Sequence, residues 1–122
     1  MTPIADVAFV AAVLNLYLDL PDTPIRYNSS DQALAQRLHQ QQVPLPVIEA
    51  AFLVASLRRL LRPQELPPLP RIRSLAYFHL VIDELLQQPL TDSYLHYLRL
   101  KLRSASSPPS AAVQNTTLSH DR

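Results

Sequence analysis

Among its 122 residues the chain has no glycine, no cysteine and no tryptophan. Without glycine, no position is preadapted to the positive-φ turns and close backbone approaches that phosphate-cradling loops and two-residue hairpins use. That counts against most nucleotide-handling enzymes. Without cysteine there are no disulfides, no thiolate metal ligands and no cysteine nucleophile. The opening residues, Met1-Thr2-Pro3-Ile4-Ala5-Asp6, lack the basic region of a signal peptide. The apolar run from Val7 to Leu20 is interrupted by Asn15 and Asp19 and is shorter than the roughly 20 residues that cross a bilayer. A soluble cytoplasmic protein with no membrane partner is the expectation.

What is present is proline. Twelve of them punctuate runs rich in Leu, Ala, Val and Ile, and proline presets φ near the helical value while removing a donor that the first helical turn does not use. Apolar spacing follows three and four throughout, and no alternating run is bounded by turn residues. The sequence therefore predicts an all-α fold, a small bundle of about five helices over residues 1–103. A disordered tail should follow over 104–122, where Ser, Pro, Ala, Asn and Thr dominate. Hydrophobic residues make up 48% of the chain, enough for a single domain to bury its own core.

Thr2 and Pro3 read as an N-cap and first helical position, opening a helix that runs to about Asp19. Its stripes Ile4/Val7/Ala11/Leu14/Leu18 and Phe9/Val13/Leu16/Leu20 make it apolar nearly all round. Such a helix belongs in a core or an interface. The reading assigns Phe9, Val13 and Leu16 to a protein interface, for a partner or a second copy of the chain. Ser29 and Gln32 have capping-box spacing for a second helix, Ser30 to Gln42. Pro46 starts a third, Val47 to Leu61, and residues Pro63 to Pro70 form a semi-rigid connection. The fourth helix is expected over Ile72 to Gln88, with Leu75, Phe78, His79, Ile82, Leu85 and Leu86 on one face. Thr91 or Asp92 caps a fifth, whose seam is Leu95, Leu98 and Leu102.

Catalytic constellations are thin. His79 and Asp83 stand one helical turn apart, but zinc needs three or four ligands and no others are in view; His79 on the apolar stripe reads as a partly buried, hydrogen-bonded side chain. Asp83 and Glu84 are adjacent and point about 100° apart, so they do not face one site. Serines lack the glycines of a nucleophile elbow. The chain is not read as an enzyme, and no metal, cofactor or small-molecule substrate is expected. The second and third helices do not make a DNA-reading helix-turn-helix, because the third presents almost no polar face.

Charge is uneven. Residues 1–56 hold two arginines against five acids, net −3, whereas residues 57–103 hold eight bases against four acids, net +4. If the fourth and fifth helices pack antiparallel, Arg58, Arg59, Arg62, Arg71 and Arg73 converge with Arg99, Lys101 and Arg103 on one end of the bundle. Tyr77 adds a stacking surface of the kind single-strand binders use. These nine residues are the candidate nucleic-acid contacts, weighed against plain helix-end and solubilising charges.

The segments Leu45-Pro46-Val47-Ile48-Glu49-Ala50-Ala51 and Ile72-Arg73-Ser74-Leu75-Ala76-Tyr77-Phe78-His79-Leu80-Val81-Ile82 resemble the helical pattern of DnaD-type primosomal domains and of replication initiators from bacterial mobile elements. In that pattern a basic, Tyr-bearing helix follows a proline-introduced one. The resemblance implies a DNA-binding role in DNA replication or mobile-element biology. Two expectations result: a non-enzymatic accessory that contacts nucleic acid through its arginine-rich end, or a protein-interaction or self-assembling adaptor that uses the apolar first helix.

Overall fold

The computed structural model describes residues 4–105, and among them the protein is an all-α bundle with no strand. Helix α1 spans Ile4–Leu18, α2 Ser29–Gln40, α3 Leu45–Leu60, α4 His79–Gln87 and α5 Asp92–Ala105, with a 3-10 turn, Leu75–Phe78, leading into α4. The Thr2-Pro3 cap and residues 106–122, where most of the expected tail falls, lie outside the described residues. Helix α3 is the hub. Helices α1, α4 and α5 all pack on it, and α2 packs on α1.

The α3 sequence suits a hub. Pro44 holds the extended N-cap conformation and Pro46 sits in the first turn, where its missing N–H costs nothing. From Ile48 to Leu57 nearly every side chain is buried, so only an element surrounded on several sides could carry this sequence. Phe52 packs edge-on against Phe78 at 4.8 Å, and the Tyr17 ring stands edge-on to Phe78 at 6.1 Å. Those three rings join α1, α3 and the 3-10 turn into one core. Leu14, Leu38, Ile48, Phe52, Leu75, Phe78, Ile82, Leu95 and Leu98 are buried in that core, and Leu18 packs half-buried against them.

Local capping differs from the sequence reading at α2. Asn28, not Ser29, is the N-cap: its Oδ1 accepts from the Asp31 N–H at 2.9 Å, and Asp31 Oδ2 accepts from the Asn28 N–H at 3.0 Å. The other Asp31 oxygen accepts from the Leu75 N–H at 2.9 Å. One buried carboxylate thus ties the start of α2 to the start of the 3-10 turn. At its other end α2 closes with a Schellman arrangement, Val43 N–H to Leu38 C=O and Gln42 N–H to His39 C=O, which places Gln42 at φ 61°.

The largest departure concerns the expected fourth helix. Residues 71–74 are not helical, Ser74 being extended; the Ile72 N–H is taken by the Asp22 carbonyl at 3.0 Å and the Leu75 N–H by Asp31. A helix cannot start until Ser74, whose Oγ caps the 3-10 turn at Ala76. His79 then stands at the exposed start of α4 and pairs with Asp83 at 3.5 Å; it is not in the core.

Candidate docking surface

The basic end forms differently from its expected geometry. Helices α4 and α5 lean on α3 and pack little on each other; of the α5 bases, Lys101 comes beside Arg58 and Arg62, as expected, whereas Arg99 does not. Arg99 reaches the first turns of α3 and grips Glu49 with two 2.7 Å hydrogen bonds. Arg58 and Arg59 sit nine and ten residues further along that helix and Arg62 just beyond its end, about 13 Å or more away at 1.5 Å per residue.

Most of the arginines act as staples. Arg58 holds Glu84 of α4 through both guanidinium ends at 3.0 and 3.4 Å, which keeps the Glu84 carboxyl below its usual pKa. Arg59 has a nearly buried side chain. It donates to the Pro70 carbonyl at 2.8 Å, the Tyr77 hydroxyl at 3.2 Å and Asp22 at 3.3 Å, and lies over the Tyr77 ring. Burial works against its charge, but the hydrogen bonds to Tyr77 and Asp22 prevail and raise its pKa. Arg62 donates to the Pro67 carbonyl at 3.3 Å, and Arg71 to the Thr23 carbonyl at 3.4 Å. Arginine suits this work because its planar fork meets two acceptors at once. Arg73, Lys101 and Arg103 are exposed, as is Tyr77.

The three α1 residues assigned to an interface do not share an exposed face. Val13 is fully buried, because α2 and α3 cover that side of the helix. It is a core residue. Phe9 is half-buried against the His39 ring at 4.6 Å, and Leu16 is half-buried against the core. The outward residues of α1 are instead Val7, Ala8, Ala11 and Asn15. Val7 and Ala11 border a depression of about 470 Å³ shared with α2 and rimmed by Asp6, Gln32, Gln36 and His39.

A second depression, of about 660 Å³, lies between the C-terminal half of α3, the start of the proline connection and α5. Its floor is aliphatic: Val54, Leu57, Leu61, Leu66 and Leu98. Tyr94 and Tyr97, one turn apart on α5, stack on each other at 5.6 Å and 25° and form one wall. Arg58, Arg62 and Lys101 complete the lining, which contains no carboxylate. Leu61 is 60% exposed, although leucine is a residue type that folding normally hides, and Tyr97 is 50% exposed.

The groove stays open for reasons visible in the chain. Leu61 is the C-cap of α3, and Pro63 with the prolines after it prevents the backbone from continuing as helix across the gap. Arg59 and Arg62 then hold the connection by its carbonyls on one side. Helix α5 turns its Leu95/Leu98/Leu102 seam to the core, which leaves Tyr94 and Tyr97 outside that seam. The sequence reading missed this surface. The available signal was the surplus of apolar residues, Tyr94, Tyr97 and Leu100, off a seam that was already complete.

Among the described residues no three His, Asp or Glu side chains gather as metal ligands, and no helix is long and apolar enough to cross a membrane. Comparison of the chain with protein-family models, curated proteins and solved structures returned no match.

Proposed function

We propose that the protein is a non-enzymatic interaction module whose groove between α3 and α5 seats an apolar segment of a partner protein. One observation carries this reading: the exposed side chains of Leu61, Leu66, Tyr94 and Tyr97 line one depression whose walls are fixed by helix packing and arginine staples. Contiguous exposed apolar patches of that kind mark interaction sites, whereas scattered apolar residues do not. A scaffold that spends Arg58, Arg59 and Arg99 on its own carboxylates and carbonyls keeps fewer cations for phosphate.

Nucleic-acid contact is the second reading. It is favoured by the stacked Tyr94 and Tyr97 rings beside Lys101 and Arg62, a combination that suits unpaired bases. The DnaD-type resemblance of residues 45–51 and 72–82 gives that reading its replication-associated form.

Selection of randomised displayed peptides against the whole chain separates the two. Docking predicts enrichment of apolar sequences whose binding disappears with Leu61→Asp, a change at an exposed position. The nucleic-acid reading predicts no enrichment, and instead oligonucleotide binding that falls steeply with salt and weakens with Lys101→Glu and Arg73→Glu regardless of base sequence.

A further inference from the structure

We infer that the segment which seats in the α3/α5 groove is a short amphipathic helix with acidic flanks. The inference rests on the docking role just proposed and adds the chemistry of the partner. Three features of the groove select that occupant. Its α3 side runs from Val54 to Leu61, about 10 Å along the helix axis, which matches two turns of a partner helix and its anchors at i, i+4 and i+7.

Its floor is built from branched aliphatic side chains, which receive leucine-like anchors. Its lining carries Arg58, Arg62 and Lys101, and of these Arg58 already holds a carboxylate, Glu84, from outside the lining. A partner with glutamates or aspartates beside its apolar stripe would meet Arg62 and Lys101, and Arg58 in competition with Glu84, while a basic partner would meet no lining carboxylate. Glu84, the carboxylate now on Arg58, belongs to an exposed pair with both side chains half or more in solvent. Such a pair exchanges readily for an incoming acid.

The Tyr94 and Tyr97 wall also resembles the aromatic surfaces that receive extended proline-rich segments. The floor argues against that occupant. Proline-rich ligands use ridges between aromatic rings, whereas here Leu57, Leu61, Leu66 and Leu98 provide a continuous apolar trough beside one tyrosine pair.

The test uses the full chain and three labelled peptides followed by fluorescence anisotropy. The first is a three-turn helix with leucines at i, i+4 and i+7 and glutamates elsewhere, the second has lysines in place of the glutamates, and the third is a proline-rich peptide with glutamate flanks. The expected result is binding of the glutamate helix at least about tenfold tighter than the lysine helix. Lys101→Glu should narrow that preference by roughly two- to fivefold, and Leu61→Asp should abolish it while thermal melting stays unchanged. Equal or tighter binding of the lysine helix or the proline-rich peptide, still sensitive to Leu61→Asp, overturns the acidic-helix assignment and leaves the docking role standing. No binding by any of the three overturns the assignment, and an empty peptide selection beside it removes the docking role as well.

Discussion

At the scale of single residues, arginines that look alike in the sequence do different work. Arg59 is almost wholly buried and holds three acceptors from three parts of the chain, Asp22, Pro70 and Tyr77. Arg73, fourteen positions on, is exposed on the non-helical stretch before Ser74. Arg59→Glu should therefore destabilise the fold by about 2–4 kcal/mol, since it removes the donors and places a carboxylate beside Asp22. Arg73→Glu should stay within about 0.5 kcal/mol. Urea unfolding of the two variants measures the contrast; equal effects would mean that Arg59 is no staple.

Tyr17 gives a second residue-scale expectation. Its hydroxyl is buried with no hydrogen-bond partner among the described residues, and burial, aided by the Asp31 carboxylate, pushes its pKa up to about 12. Unfolded tyrosine ionises near pH 10, so between pH 10 and about 12 the unfolded chain loses a proton that the native chain keeps. Stability should be unaffected by this group below pH 10 and should decline as pH rises towards 12. Tyr17→Phe should remove that component of the decline and cost little at neutral pH, because no hydrogen bond is lost. Alkaline unfolding curves of the two proteins provide the comparison.

At the scale of elements, the absence of glycine has a measurable consequence. The α2 C-terminus needs a left-handed residue to close its Schellman arrangement, and Gln42 occupies that position at φ 61°. A side chain there costs about 1–2 kcal/mol, against a smaller entropic cost for glycine. Gln42→Gly should thus raise stability by about 0.5–1 kcal/mol, seen as a higher urea midpoint with an unchanged slope.

Helix existence was legible because the apolar spacing and the prolines around Pro21, Pro44, Pro63 and Pro89 agree on where helices begin and stop. The start of α4 was not legible. It depends on Asp22 and Asp31, about fifty and forty residues earlier in the chain, which take the amide protons of Ile72 and Leu75. Periodicity carries no information about partners so distant. Val13 was misplaced for a related reason: an all-round apolar helix does not reveal which of its sides the rest of the bundle will cover. Arginine clustering was legible as well, but charge along a sequence does not tell a guanidinium that holds its own chain from one that awaits a phosphate.

At the scale of the whole molecule, α3 gathers α1, α4 and α5 around one buried stem, and the opening beside its C-terminal half is what that arrangement leaves uncovered. The floor of the groove is continuous with the core through Leu57 and Leu98, both buried. A ligand there would meet a surface already ordered by folding, so little conformational entropy would be lost on docking.

Two surfaces compete for the role of interface, the α3/α5 groove and the outer face of α1 with its neighbouring depression. Amide chemical-shift mapping on the nitrogen-labelled full chain, titrated with a peptide selected for binding, distinguishes them most directly. The account predicts shifts confined to Val54, Leu57, Leu61, Leu66, Tyr94, Tyr97, Leu98 and Lys101. Shifts centred on Val7, Ala11, Gln32 and Gln36, with the groove residues unmoved, would contradict it.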